Sequence, residues 1–65
     1  MDLINLQPGM ELMNKDDEWK FIELMIQGTR NMDLVSGFVT HEIGTKIVKF
    51  YTLDELIADW EPVHM

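Results

Sequence analysis

Four polar turn signals divide the first 45 residues into segments too short for ordinary helices. The signals are Gln7–Gly9 (QPG), Asn14–Glu18 (NKDDE), Gly28–Asn31 (GTRN) and His41–Thr45 (HEIGT). Proline, glycine, asparagine and aspartate favour turns because they preset or tolerate the backbone angles that turns require. The segments between these signals alternate apolar with polar residues, which is typical of strands. The sequence therefore predicts a meander of four strands.

The predicted strands are bounded by these turns. They cover Met10–Asn14, Trp19–Gln27, Met32–Thr40 and Lys46–Tyr51. Gly37 lies inside the third strand and predicts a bend or bulge there. Gly44 is the residue of the last turn that best accepts a positive φ angle.

The second strand changes the phase of its alternation. Trp19 and Phe21 share one parity, whereas Ile22 and Leu24 share the other. A bulge near Phe21 and Ile22 would turn both sets into the core; without it, Trp19, Phe21 and Met25 form an apolar stripe on the outer face. We favour the bulge, because so small a barrel needs its aromatic side chains inside.

The chain's clearest helix signal follows the fourth strand. Thr52 and Glu55 form the T-x-x-E pattern of a capping box, which starts a helix. Its apolar face is predicted to comprise Leu53, Leu56, Ile57 and Trp60. Pro62 should end the helix, and Glu61–Val63 (EPV) should form a short fifth strand, which must lie at an edge of the sheet because it contains proline.

Composition restricts the class of protein. Residues 1–65 form one domain with 46% hydrophobic residues, no cysteine and a formal charge of -7. The negative charge argues against direct binding to nucleic acid, and no apolar run is long enough to cross a membrane. The absence of cysteine and of a basic, apolar leader at the N-terminus predicts a cytoplasmic location.

The order of four meandering strands, a helical turn and a last short strand resembles the SH3-like barrel from Pro8 to Val63. We therefore expect an all-β fold: a small five-stranded SH3-like barrel with one short helix between the fourth and fifth strands. The segments "PGM", "EWKFIEL" and "YTLDELIADWEPV" also look like those of small phage and prophage proteins. That resemblance implies an accessory protein that binds a host bacterial protein, and it supplies no catalytic residues.

Residues suited to catalysis or metal binding are scarce. His41 begins an H-E-x-x pattern, but Thr45 stands where a zinc protease needs a second histidine, so we expect His41 and His64 to be exposed. The acidic pairs Asp16–Asp17 and Asp54–Glu55 are explained by a turn and a helix start. We predict no enzyme activity, no metal and no cofactor.

The leading hypothesis is a non-enzymatic module that binds and modulates a host protein, in host takeover or in countering host defence. The candidate protein-binding residues are Trp19, Phe21, Met25, Asp54, Glu55 and Asp59. One alternative is an acidic mimic of nucleic acid that blocks the basic groove of a host enzyme. Another is an oligomer that sequesters a small ligand between its subunits.

Self-association is a further expectation. A small domain has little core, and an open barrel leaves strand edges that can pair with a second chain. The first strand, with Met10–Met13, and the last strand are the expected edges, and Pro62 protects the last. We predict a homodimer that uses the first-strand edge or buries Trp19 and Phe21.

Overall fold

The computed structural model describes residues 5–30 and 34–63, which form one antiparallel sheet of five strands and one short helix. The elements are β1 (Glu11–Asn14), β2 (Phe21–Arg30), β3 (Val35–Glu42), β4 (Val48–Thr52), α1 (Leu53–Asp59) and β5 (Trp60–Pro62). The strand order is β4-β3-β2-β1-β5. The all-β prediction is confirmed, and the sheet is open, with β4 and β5 at its edges.

The turn between β1 and β2 forms as its sequence predicts. The Asn14 Oδ1 atom accepts hydrogen bonds from the backbone N–H groups of Asp16 and Asp17, at 2.9 and 3.0 Å. Asp17 Oδ1 accepts the N–H of Trp19 at 3.0 Å. In this turn these backbone N–H groups have no acceptor on a neighbouring strand among the described residues, and the side-chain oxygens of Asn14 and Asp17 accept their hydrogen bonds instead.

The hairpin of β2 and β3 is longer than predicted. Gly28 pairs with Gly37 and Arg30 pairs with Val35, so the predicted turn at Gly28–Asn31 is wrong. The Leu34 N–H donates to the Arg30 carbonyl at 2.9 Å, and strand β2 continues to Arg30. The ladder continues through this segment because pairing satisfies its backbone groups. The predicted strand start at Met32 lies outside the described residues.

A bulge lies in β2, but at Met25 and not at Phe21 and Ile22. Leu24 pairs with Thr40 and Ile26 with Val39, so Met25 is the extra residue. Without it, Ile26 would share the inner face with Leu24; with it, Ile26 points outward and is 62% exposed. The prediction that a bulge turns both apolar sets of this strand inward is therefore wrong.

The core lies on the inner face of the sheet, under the helix. Its buried apolar side chains are Leu12, Ile22, Leu24, Phe38, Leu56 and Trp60. The ring of Trp60 contacts that of Tyr51, with 5.8 Å between centroids and a tilt of 59°. The buried Thr40 hydroxyl donates to the Lys49 carbonyl at 3.0 Å, so this polar group carries no unpaired donor.

The helix begins as predicted and ends earlier. Thr52 Oγ1 accepts the Glu55 N–H, and Glu55 Oε1 accepts the Thr52 N–H at 2.9 Å, completing the capping box. The helix ends at Asp59, before Pro62, because Trp60 turns into β5. Ile57, which was predicted on the buried face, is 41% exposed, so Leu56 is the helix's buried residue.

Candidate functional site

An apolar surface crosses three strands on the outer face of the sheet. Ile26 on β2, Val39 on β3 and Phe50 on β4 are direct cross-strand partners. Side chains opposite one another lie about 4.5–5.5 Å apart at Cβ and share a face. Val48, 55% exposed, lies on the same face of β4. We call Ile26, Val39, Val48 and Phe50 the outer patch.

A glycine determines how Phe50 lies in the outer patch. A Cβ atom placed on Gly37 would come within 2.7 Å of Phe50 Cζ and would also collide with the Tyr51 carbonyl oxygen. The tip of the Phe50 ring therefore occupies space that a side chain at position 37 would need. Gly28 is the cross-strand partner of Gly37. No described atom beyond its chain neighbours lies within 4 Å of the Cβ position of Gly28, so the space above this residue is open. The close approach of β4 therefore explains Gly37. The ladder between β2 and β3 keeps its register at Gly37 and shifts between Leu24 and Ile26, so the bulge predicted at Gly37 is wrong.

The edge strand of this patch is the basic part of an acidic protein. The 11 residues 43–53 contain Lys46 and Lys49 and no acidic residue, while the whole chain has 12 acidic and five basic residues. Lys49 Nζ lies 5.6 Å from the centroid of the Tyr51 ring, which is a cation–π geometry. The local charge is +2, within a chain of formal charge -7.

The outer edge of β4 has free backbone groups. The Glu42 N–H donates to the Ile47 carbonyl at 2.9 Å, so this pair is hydrogen-bonded. Hydrogen-bonded and non-hydrogen-bonded pairs alternate in an antiparallel ladder. The backbone of Lys49 therefore faces β3, while the N–H and C=O groups of Val48 and Phe50 point away from the sheet. Within residues 5–30 and 34–63, no backbone group bonds to them at this edge.

The opposite edge, at β5, is closed to a further strand. The Val63 N–H donates to the Glu11 carbonyl at 3.2 Å, so the alternation directs the backbone groups of Trp60 and Pro62 away from β1, although the Trp60 side chain is in the core. Trp60 donates its N–H to the Leu56 carbonyl, and proline has no N–H. The prediction that Pro62 protects this edge agrees with the geometry. The expected edge at Met10–Met13 is wrong, since β1 lies between β2 and β5.

The candidate residues of the second strand do not form one surface. Trp19 lies in the turn before β2 and is 85% exposed. Phe21 is half-buried and pairs with Met13 near the start of β2. Met25, in the bulge, precedes Ile26 and borders the outer patch. Met25 is four positions after Phe21 along the extended strand, which is a distance of about 13 Å.

The acidic candidates are on the helix. Asp54, Glu55 and Asp59 are all exposed. Hydrogen bonding to the Thr52 backbone, and to a smaller extent to the Thr52 side chain, holds the pKa of Glu55 below its usual value. Glu55 thus has a structural role as a cap. The Asp59 carbonyl accepts the Lys15 N–H at 2.8 Å, which fixes the acidic β1–β2 turn beside the end of the helix.

His41 has a structural partner. It is half-buried, and its Nε2 atom donates to the Thr45 carbonyl at 2.6 Å, so the expectation that it is exposed is wrong. His64 lies outside the described residues. In the part of the chain that the structure describes, no group of three or more histidine and acidic side chains could hold a metal. No described helix is long and apolar enough to cross a membrane.

The outer patch was not found by sequence reasoning, although two signals point to it. The acid-free run across residues 43–53 is visible in the sequence, as are Gly28 and Gly37. The sequence does not predict that Gly28 and Gly37 pair, because its turn signal begins at Gly28. The position of the bulge decides whether Ile26 is inside or outside.

Comparison of the chain with protein-family models, with curated proteins and with solved structures gave no match.

Proposed function

We propose that this chain is a non-enzymatic interaction module that binds a host protein in the bacterial cytoplasm, as the resemblance to small phage proteins implies. The observation that carries the proposal is the outer patch: Ile26, Val39 and Phe50 stand in register across three strands and are partly or largely exposed. Contiguous exposed apolar surface on a small domain is typical of a protein-binding site.

We also propose that the sheet is a variant of the SH3-like barrel. The strand order β4-β3-β2-β1-β5 and the helix between β4 and β5 support this assignment. The recognition surface differs from the aromatic groove that SH3 domains offer to proline-rich peptides. Here the chain offers β-branched side chains and one phenylalanine on the outer face of the sheet.

The occupant that we propose for the outer patch is a flat apolar surface of a folded protein. The open space at the Gly28 Cβ position and the exposed side chains of Ile26 and Val48 suit a broad contact better than a deep insertion. Phe50 is the expected centre of the contact, because aromatic residues contribute most per side chain at such interfaces.

A matched pair of variants tests the proposal. The tagged chain is incubated with bacterial lysate, and a retained protein is purified and titrated against wild type, Ile26→Lys and Ile57→Lys. Ile26 is 62% and Ile57 41% exposed, so lysine leaves the fold intact at both positions. We expect Ile26→Lys to weaken binding at least about tenfold, as loss of a buried apolar contact does, and Ile57→Lys to bind like wild type. Equal binding by all three would reject the outer patch as the site.

Ionic strength separates this proposal from the acidic mimic. Exposed charges are screened over about 8 Å at physiological salt, so a mimic complex weakens steeply as salt increases. Apolar docking survives 1 M salt, which is the result that we expect. Dissociation at that salt concentration would favour the mimic.

A further inference from the structure

We propose that the free edge of β4 binds an extended, acidic strand of a partner protein, which adds to the sheet as a sixth strand. This proposal rests on the proposed function and specifies how the partner is recognised next to the outer patch. Backbone hydrogen bonds provide the attachment in such strand addition, and alternate side chains provide the selectivity.

The backbone requirement is met at β4 and not at β5. Val48 and Phe50 each direct an N–H and a C=O group outward, whereas the next outward donor, the Thr52 N–H, is used by Glu55 Oε1. The capping box therefore ends the free edge on one side. At β5, Trp60 has used its donor and Pro62 has none. An added strand can attach through two residues of β4, on one side of the molecule.

The side chains of β4 define the composition of the strand that fits. Residues directly opposite in an antiparallel pair share a face. Apolar residues opposite Val48 and Phe50 would extend the outer patch by one strand. A carboxylate opposite Lys49 would lie on the other face, and a second carboxylate would meet Lys46. Cross-strand pairs of opposite charge stabilise a sheet, and like charges destabilise it.

Charge also selects between a second copy and a different protein. Two β4 edges could pair around Lys49, with Val48 of one copy hydrogen-bonded to Phe50 of the other. In that arrangement the Lys49 side chains of the two copies would lie directly opposite each other. A strand with glutamate at that position forms the same hydrogen bonds with an attractive pair. The +2 charge of residues 43–53 therefore favours an acidic partner over a second copy.

The probe is the capped peptide acetyl-Thr-Val-Glu-Val-Thr-Glu-amide with a fluorescent label. Antiparallel to β4, it places valine opposite Phe50 and Val48 and glutamate opposite Lys49. Its last glutamate extends past the start of β4 toward Lys46. We expect binding of this peptide to weaken as salt increases, because it has the charge pairs of the proposed strand without the broad apolar surface that lets the whole partner remain bound in 1 M salt. Replacing both glutamates by lysine should weaken binding about tenfold or more.

Two controls test the backbone contacts. Methylation of the two valine nitrogens removes the donors that would bond to β4 and should abolish binding, while methylation of the central glutamate nitrogen, which points away, should leave it intact. In the protein, Val48→Pro removes an outward N–H without breaking a bond to β3, as Pro62 does in β5. We expect Val48→Pro to lose about tenfold in affinity and Val48→Ala to lose less.

The outcomes are distinct. If methylation of either set of nitrogens has the same effect, strand addition is wrong. If the lysine peptide binds as well as the glutamate peptide, the acidic partner is wrong. If light scattering shows a dimer that Val48→Pro dissociates, a second copy occupies the edge and the acidic partner is wrong. If a purified host protein binds Val48→Pro like wild type but loses Ile26→Lys, the proposed function stands and strand addition fails. Should Val48→Pro not fold, the methylated peptides decide.

Discussion

At the scale of the residue, the paired glycines of β2 and β3 have opposite roles. We predict that Gly37→Ala destabilises the fold by about 2–3 kcal/mol, because the added methyl group meets backbone that cannot move without separating β4 from β3. A Cβ on Gly37 would lie 2.9 Å from the Thr52 Cα, as well as against the Tyr51 carbonyl. Urea unfolding, monitored by the fluorescence of buried Trp60, measures the change in the free energy of unfolding.

Gly28→Ala is the matched control, since Gly28 is the cross-strand partner of Gly37 and its Cβ position is open. We expect it to be neutral or to stabilise the strand by about 0.5 kcal/mol, because alanine has less freedom in the unfolded chain. Equal destabilisation by the two substitutions would contradict the contact described at Gly37.

At the scale of the element, the capping box makes the start of the helix sensitive to pH. The folded pKa of Glu55 lies below its ordinary value of 4.5, so the unfolded chain binds this proton more readily. The contribution of the Glu55 carboxylate is thus fully present above about pH 4.5 and is lost as pH falls through the folded pKa. We predict a greater loss of stability between pH 5.5 and pH 3 in wild type than in Glu55→Gln.

The comparison with Glu55→Gln isolates this effect, because the two proteins differ at this one side chain. Urea midpoints at the two pH values provide the measurement. If the difference between wild type and Glu55→Gln is the same at both pH values, the carboxylate does not stabilise the cap.

Local elements were predictable from the sequence, and their relative positions were not. The Thr52–Glu55 cap and the Asn14 turn depend on residues within a few positions of each other, so their patterns are readable. The bulge at Met25 depends on how β2 fits β3, and the edge position of β4 depends on the whole sheet. The outer patch depends on the bulge and on the edge position of β4. The sequence alone therefore pointed to Trp19 and Phe21 instead.

At the scale of the whole molecule, self-association through the exposed Trp19 is a prediction that the fold makes simple to test. Six buried apolar residues form the described core, so a contact between two copies would add stability that a domain of this size lacks. We expect a melting temperature that increases with protein concentration. Trp19→Ala should remove this dependence and leave the fold intact, because the side chain is 85% exposed.

A concentration-independent melting temperature of the wild type, together with a monomeric mass by light scattering, would contradict the dimer. If Trp19→Ala unfolds the protein, the side chain contributes to folding and the proposed contact is wrong. Trp60 remains as the fluorescent reporter in that variant.

The unequal edges of the sheet limit how large an assembly can grow. Fibrils built by edge pairing require each subunit to accept a strand on one side and offer one on the other. Here β5 has no outward donor at Trp60 or Pro62, so a molecule joined at β4 presents no second edge for the next addition. We therefore expect strand pairing to stop at one partner and to produce a closed pair in place of a growing sheet.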